Sequence, residues 1–177
     1  MLKRNIQHSM FSDYVHPKDE IVKLLSHTLD ITPSKQSKVP YEILVLKPEQ
    51  TELKEFLYQT TINPPPDGSS WCNHNHQVEA PWVLLFYNRL KSKGYLAETM
   101  FIEIGMFCSN LTHQCHELGL DVSYTRCFLP ADDKIWKEST VKRPLLALSI
   151  GKGIENIIRR PDRPETKEII TTTNRII

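Results

Sequence analysis

The stretch that decides the fold is Met100-Phe-Ile-Glu-Ile-Gly-Met-Phe-Cys-Ser-Asn-Leu-Thr-His-Gln-Cys-His-Glu-Leu-Gly-Leu120. Its apolar residues recur every three or four positions, which predicts an amphipathic helix from about Ala97 to Leu118. The apolar stripe of this helix consists of Met100, Phe101, Ile104, Phe107, Cys108, Leu111, Cys115 and Leu118. Gly119 stands where helices commonly place a glycine just after their last turn, so we expect the helix to end there.

Strand-like segments and shorter helical segments surround this helix. Ala80 to Asn88 is the most apolar segment, and its uninterrupted run predicts a strand that is buried on both faces. Asp121 to Phe128 is predicted to be a strand with one side more exposed. The other predicted strands are Tyr41 to Leu46 and Leu145 to Ile150, and further helices are predicted at Pro17, at Pro48 and at Asp132 to Ser139. Because strands and helices alternate, we expect an α+β or α/β class with helices on both sheet faces.

Length and composition fit a single domain over residues 1–177. The chain has 40% hydrophobic and 24% charged residues, which is ordinary for a globular protein. Its formal net charge of +1 gives no basic footprint for nucleic acid. The longest apolar run, Trp82 to Tyr87, is too short to span a bilayer, and the first residues lack the apolar core of a signal peptide. Four irregularly spaced cysteines indicate reduced thiols, so we expect a cytoplasmic protein without nucleic-acid or membrane partners.

The segment 62–79 is the least regular part of the chain. Its prolines and glycine exclude regular secondary structure over the first half, and excursions of this length are usually functional or disordered. The second half contains Cys72, His74 and His76, alternate residues that point the same way in an extended chain and could together bind a metal ion. No second Cys/His pair at zinc-finger spacing exists, so we favour a polar loop and expect no metal site.

Three further features permit two interpretations each. Cys115 and His116 could be a nucleophile and its base, but adjacent helical residues point about 100° apart, so an inert core thiol is expected. The polar loop from Thr32 to Pro40 is either a plain turn or an anion-binding loop. A basic cluster near the C-terminus is either a solvated tail or a phosphate clamp, and it consists of Arg159, Arg160 and Arg163.

Several segments stand in an order that is typical of one protein family. They are Ile31 to Tyr41 with Glu42 to Leu46, Ala80 to Phe86, Ile102 to Leu120, Pro144 to Gly151, and Arg163 to Ile170. The first two resemble the aPSxxNxQPW-rfiVv segment and the AP-hydrophobic strand of the nitroreductase family of flavoproteins. The third resembles the central D-x-G-x-x-x-x-N-L helix of that family. The last two resemble its P-x-x-x-x-x-x-l-G strand and its closing R-x-P-x-E-E-V-V segment. The resemblance covers about residues 18–170.

The resemblance implies an α/β/α-layered domain of α+β class, with a mixed β-sheet flanked by helices. It implies a homodimer with FMN at the interface and a C-terminal arm, about residues 160–177, that is swapped onto the partner subunit. It also implies an enzyme, a flavin oxidoreductase that transfers electrons from NAD(P)H through FMN to a small aromatic, nitro or quinone-like acceptor. The flavin carries that chemistry, so no catalytic residue of the protein is expected.

The same resemblance implies which residues bind the cofactor. Those expected to contact FMN are the loop residues and a strand-end glycine, namely Ser34, Lys35, Gln36, Ser37 and Gly151. Those expected near its phosphate are Arg4, Asn5, Arg160 and Arg163. The asparagine of the family's loop is Ser37 here, and its glutamine is Val39. These departures leave two other functions open, a flavin-binding protein without efficient turnover and a small metal-binding protein that uses the Cys72, His74 and His76 segment.

Overall fold

The computed structural model describes residues 7–8, 10–62, 74–90, 94–154 and 158–159. Its helices are α1 (Lys18–Ile31), α2 (Thr51–Thr60), α3 (Tyr95–Glu117) and α4 (Lys134–Lys137). Its strands are β1 (Gln7–His8), β2 (Tyr41–Leu46), β3 (Trp82–Asn88), β4 (Asp121–Thr125), β5 (Leu146–Gly151) and β6 (Ile158–Arg159). Short 3₁₀ turns cover Lys35–Ser37 and His76–Glu79. The predicted helices and strands are found in the predicted order, and β1 and β6 are additional.

The central sheet contains four strands in the order β2-β3-β5-β4, and β1 pairs with β6 in a separate sheet. Every pairing among the described strands is antiparallel. A mixed sheet needs a parallel pairing, and the described part of the chain contains none. The reason lies in the strand order: β3 and β4 run in the same direction on either side of α3, but β5 lies between them and pairs with both.

Helices cover both faces of the central sheet. On one face, α1 and α3 pack against Trp82, Leu84 and Phe86 of β3. On the other face, α2, α4 and the residues just before β3 cover Val83 and Leu85. The apolar run in β3 is therefore buried on both faces, as predicted, because its alternate side chains enter two different core clusters. The result is an α/β/α-layered α+β domain, which confirms the predicted class.

The long helix α3 begins and ends close to its predicted limits. Gly119 has a φ of 68°, and the helix closes with two hydrogen bonds: Gly119 N–H donates to His116 O at 3.1 Å and Leu120 N–H donates to Cys115 O at 2.9 Å. This pair of bonds is the Schellman motif, which favours glycine at the left-handed position. Most of the predicted stripe is buried, but Phe101 and Leu118 remain 42% and 44% exposed. No helix within the described ranges is long and apolar enough to cross a bilayer.

Two helices begin later than their prolines suggest. Pro17 lies just before α1 with a ψ of 133°, so it precedes the first turn and is not part of it. Pro48 lies in a turn that leads into α2, which starts at Thr51. Both prolines still direct the chain into a helix, because their fixed φ suits the approach to a first turn.

The expectation for β4 was wrong, since both of its sides are covered. Ser123 and Thr125 are buried under the segment that precedes β3. Asn75 Nδ2 donates to Thr125 Oγ1 at 3.0 Å, and Gln77 Nε2 donates to Ser123 Oγ. The hydroxyls of this strand are therefore satisfied by amides and not by water, a distinction that the alternating sequence pattern does not contain.

Candidate functional site

The loop between α1 and β2 has a strained backbone. It runs from Thr32 to Pro40, and within it Ser37 has a φ of 54° and Val39 a φ of 40°. The left-handed region is uncommon for residues other than glycine, and a β-branched residue such as valine is an outlier there. Strain of this kind costs on the order of 1–3 kcal/mol per residue and persists only where the surrounding structure enforces it. The loop therefore needs an anchor.

The carboxylate of Glu103 on α3 is that anchor. Ser34 Oγ donates to Glu103 Oε2 at 2.9 Å, and Lys35 N–H donates to Glu103 Oε1 at 2.7 Å. Ser34 Oγ also accepts from Val39 N–H at 2.9 Å, so the carboxylate is connected through one hydroxyl to a strained residue. Glu103 is only 2% exposed. Each carboxylate oxygen thus receives a hydrogen bond, as a buried charge requires.

Further contacts from α3 hold the helix end that precedes the loop. Asn110 Nδ2 donates to Thr32 Oγ1 at 3.2 Å, and Gln114 Nε2 donates to Thr28 Oγ1 at 3.0 Å. Tyr41, the first residue after the loop, is buried; its burial, and then the nearby Glu103 carboxylate, raise the pKa of its phenol to about 12. The phenol is therefore neutral at physiological pH, and the loop is fixed on both sides.

These contacts decide what the predicted loop residues can offer a ligand. Ser34 gives its single hydroxyl proton to Glu103, so it has none left to donate. Lys35 and Gln36 lie in the 3₁₀ turn, where the amide of Lys35 is already bonded and the side chain of Gln36 is outside the described part of the structure. Ser37 is exposed at the end of this turn. The structure therefore brings these four residues together but uses Ser34 to hold the loop.

Gly151 lies at the opposite end of the central sheet. Leu46, at the end of β2, pairs with Val83, and Trp82 pairs with Ile150 next to Gly151. The loop leads into the other end, where Tyr41 pairs with Asn88. At about 3.4 Å per residue, the length of β2 separates the two ends by roughly 17 Å. The loop and Gly151 are therefore not neighbours within the chain.

Packing accounts for the glycine at position 151. A Cβ added there would lie 3.0 Å from Phe11 Cδ1 and 3.1 Å from Pro81 Cδ. Both distances are shorter than the 3.5–4.0 Å or so of an ordinary carbon contact. The expected contact of Gly151 with a cofactor stays a prediction.

The short strands β1 and β6 pair beside this sheet end. Gln7 of β1 pairs with Arg159 of β6, and Phe11 forms a bridge with Gly153, which follows β5. Four of the predicted phosphate residues, Arg4, Asn5, Arg160 and Arg163, lie outside the described residues. The pairing of β1 with β6 nevertheless fixes the segments from which they extend.

An apolar cleft of about 430 Å³ lies between α3 and the strands β4 and β5. It is lined by residues that include Ile104, Gly105 and Cys108, and Arg126 stacks over the ring of Phe101 at 5.3 Å. Cleft volumes of this size are typical of small-molecule sites. Burial raises the pKa of the Cys108 thiol to about 12, so this thiol is protonated and is not a nucleophile.

The histidines of the irregular segment surround a tyrosine. The rings of His74 and His76 lie 4.7 and 4.9 Å from the ring of Tyr58, measured between centroids. Thr61 O lies 3.2 Å from His74 Nδ1, and Glu79 Oε2 lies 2.5 Å from His76 Nδ1. The described residues contain no cluster of three metal-ligating side chains, and Cys72 is not among them. The polar loop that the sequence favours over a metal site therefore stays a prediction.

Cys115 is the inert core thiol that was expected. It is fully buried, and burial, followed by the nearby Asp121, raises the pKa of its thiol to about 12. A thiolate nucleophile at this position has no support, because the thiolate is the reactive form.

Sequence reasoning missed two buried charged residues. Glu103 is the single charged residue between Met100 and Leu111, and this isolation was the available signal. Lys54 on α2 is 5% exposed; it donates from Nζ to Pro81 O at 2.8 Å, and burial lowers its pKa to about 8. Nothing in the spacing of apolar residues along α2 marks Lys54 as buried.

Comparison with known proteins places this geometry in a known fold. No family model and no curated protein matches the sequence. Solved structures do match. A protein provisionally named a nitroreductase from Desulfovibrio desulfuricans, in complex with FMN, has a TM-score of 0.70 at 16% identity, over 96% of this chain and 92% of its own.

Two further structures have the same arrangement. A nitroreductase family protein from Streptococcus pneumoniae has a TM-score of 0.67 at 14% identity, over 96% of both chains. A nitroreductase from B. subtilis has a TM-score of 0.68 at 16% identity, over 98% of this chain and 71% of its own. At such low sequence identities, structural similarity shows a shared fold but not a shared substrate. By its fold, the chain is a divergent nitroreductase-like protein.

Proposed function

We propose that the chain is an FMN-dependent oxidoreductase of nitroreductase type, which passes electrons from NAD(P)H to a small aromatic, nitro or quinone-like acceptor. The observation that carries this proposal is the strained loop at Ser34–Val39, anchored by Glu103, in a chain of this fold. Backbone strain that the structure enforces is concentrated at functional sites. The family resemblance assigns flavin contact to this same loop, and a structural neighbour is in complex with FMN.

The phosphate of FMN would be held near the paired strands β1 and β6. Arg159 is in β6, Arg160 follows it, and Arg4 and Asn5 stand shortly before β1 in the sequence. The pairing of Gln7 with Arg159 supports this role, because these two residues stand next in sequence to the two basic segments. Guanidinium groups bind phosphate oxygens in a bidentate, charge-assisted geometry. Arg163 is the residue that we propose as the main phosphate contact.

The flavin site would be formed by two subunits. The loop and the β1–β6 pair lie at opposite ends of the sheet in one subunit. A single cofactor that contacts both would therefore contact the loop of one subunit and the β1–β6 region of the other. Three apolar side chains near the loop are exposed in the isolated chain: Ile31 by 47%, Phe101 by 42% and Ile102 by 63%. Exposed apolar groups of this kind are typical of an interface. We therefore propose a homodimer in which residues 160–177 cross to the partner.

The flavin supplies the redox chemistry by accepting a hydride and delivering electrons, and the protein binds and orients it. The anchored loop would present Ser37 and the lysines around it, while Ser34 holds the loop in shape. The apolar cleft beside α3 would exclude water from an aromatic acceptor. The protonated thiols of Cys108 and Cys115 agree with a mechanism that needs no protein nucleophile.

The free thiols at Cys108, Cys115 and Cys127 support a cytoplasmic location.

The purified protein tests the proposal directly. It should be yellow, release FMN on denaturation, and oxidise NADH or NADPH when a nitroaromatic compound or a quinone is added. A protein that takes up no FMN from an excess of the free cofactor would overturn the proposal. Bound FMN without acceptor-dependent oxidation of either nicotinamide would instead identify a flavin-binding protein without turnover.

A further inference from the structure

We infer that Glu103 is a positioning residue of the proposed flavin site, and that its buried carboxylate holds the Ser34–Val39 loop in the shape that contacts the flavin. This inference rests on the proposed function for the identity of the ligand. Its structural half, that the carboxylate holds the loop, can be tested without any ligand.

The first step is that the backbone–backbone hydrogen bonds of the loop do not hold Val39. Two of its residues, Ser37 and Val39, have left-handed backbone conformations. Within the loop, Ser37 N–H donates to Ser34 O at 3.1 Å and Lys38 N–H donates to Lys35 O at 3.3 Å, which closes only the 3₁₀ turn. Neither bond reaches Val39, which is the more strained residue type.

The second step is that one carboxylate controls both ends of the loop. Glu103 accepts at one oxygen from the amide of Lys35 and at the other from the hydroxyl of Ser34. That hydroxyl in turn accepts from the amide of Val39 at 2.9 Å. Because a hydroxyl that donates to a carboxylate becomes a better acceptor, the three groups form one cooperative chain. Removing the carboxylate therefore loosens Lys35 directly and Val39 indirectly.

The third step is that Glu103 is attached to a rigid element. It lies within α3, and the following residue, Ile104, belongs to the core cluster beneath the helix. A contact built on a packed helix positions a loop more precisely than one built on another loop. The carboxylate is also specific in its chemistry. A glutamine of the same shape would keep an acceptor oxygen for the amide of Lys35, and its NH₂ group could donate to Ser34 Oγ, so this substitution removes the charge and leaves neutral hydrogen bonds.

The test compares Glu103→Gln, Glu103→Ala and Ser34→Ala with the wild type. Hydrogen exchange of the protein without flavin reports on the loop. Glu103→Ala should speed exchange at the amide of Lys35 by about ten- to a hundredfold, the loss expected for one charged hydrogen bond, and at the amide of Val39 by a smaller factor. Glu103→Gln keeps neutral hydrogen bonds, so it should speed exchange at both amides by less than Glu103→Ala does. Ser34→Ala should speed exchange at Val39 and leave Lys35 protected. A general loss of stability would not produce this difference between the two amides.

Thr112→Ala is the matched control. Thr112 is also a buried polar residue of α3, but its Oγ1 donates to Cys108 O at 2.7 Å, within the helix and away from the loop. This variant should leave the exchange of both loop amides unchanged. If Glu103→Ala does not fold, Glu103→Gln and Ser34→Ala carry the test alone.

Flavin titration gives the functional half. Glu103→Ala should weaken FMN and riboflavin by a similar factor of about ten or more, because the proposed loop contact is to the ring and not the phosphate; Glu103→Gln should weaken both by less, and Thr112→Ala should weaken neither. Unchanged exchange at Lys35 and Val39 would overturn the inference, and so would faster exchange with unchanged flavin affinity. A wild type that binds no flavin would refute the proposed function itself and is recognised before any variant is made.

Discussion

Replacing Gly151 by alanine tests whether this glycine is required by packing. The added Cβ would lie 3.0 Å from Phe11 Cδ1 and 3.1 Å from Pro81 Cδ. Phe11 contributes a half-buried ring whose backbone forms a bridge with Gly153, and Pro81 is a rigid ring directly before β3, so the new methyl group must displace at least one of them. Overpacking of this kind typically costs about 1–3 kcal/mol. At about 2–4 °C per kcal/mol for a chain of this size, the melting temperature should fall by about 2–12 °C.

Gly105→Ala is the control, because the same substitution there meets no atom within 4 Å. It lies inside α3, where alanine is favoured over glycine by about 1 kcal/mol. Both variants change the unfolded chain in the same way, so their difference reports on the two folded environments, of which only position 151 is crowded. Denaturant unfolding without flavin is the assay.

A double variant locates the strain. Combining Gly151→Ala with Phe11→Ala removes the ring that lies closest to the new methyl group, so the two changes should cost less together than the sum of their separate costs. A Gly151→Ala protein as stable as Gly105→Ala would refute the packing argument. If it then bound FMN more weakly, the glycine would instead be needed for the cofactor.

Three other predictions follow from charges and exposed surfaces. Burial lowers the pKa of Lys54 from 10.5 to about 8, so between these two pH values the unfolded chain binds more protons than the folded chain. The unfolding free energy of the wild type should therefore rise with pH across this window relative to that of Lys54→Met, by at most about 1.4 kcal/mol per pH unit. Parallel curves in denaturant titrations from pH 7 to pH 11 would contradict this. Arg163→Ala should weaken FMN by about ten- to a hundredfold and riboflavin much less, as seen in fluorescence titrations; equal losses would indicate a structural role. Light scattering at micromolar concentration should give a dimer mass for the wild type, because obligate interfaces bury about 2,000 Å² or more and hold at this concentration. Ile102→Asp places a charge among the exposed apolar side chains near the loop and should give a monomer mass. A monomeric wild type would exclude the dimer.

Local sequence patterns were enough to define the helices and strands of this fold. The spacing from Met100 to Leu118 and the glycine at 119 defined α3 closely, and the uninterrupted apolar run identified β3 as a strand with two buried faces. Such features depend on neighbours a few residues apart, so a local pattern contains them. The family order of the segments also led to the correct layered architecture, because motif order reflects the order of elements along the chain.

The contacts between distant segments could be known only from the folded chain. The hydroxyls of β4 looked like a solvent face, yet amides from residues 75–77 cover them. Ser34 looked like a ligand contact, yet its proton goes to Glu103, a residue 69 positions away. Gly151 matched a family motif, but Phe11 and Pro81 account for its missing side chain. Hydrogen-bond partners and close contacts between remote residues depend on the three-dimensional path of the chain, and the periodicity of a sequence carries no information about which remote groups will satisfy each other.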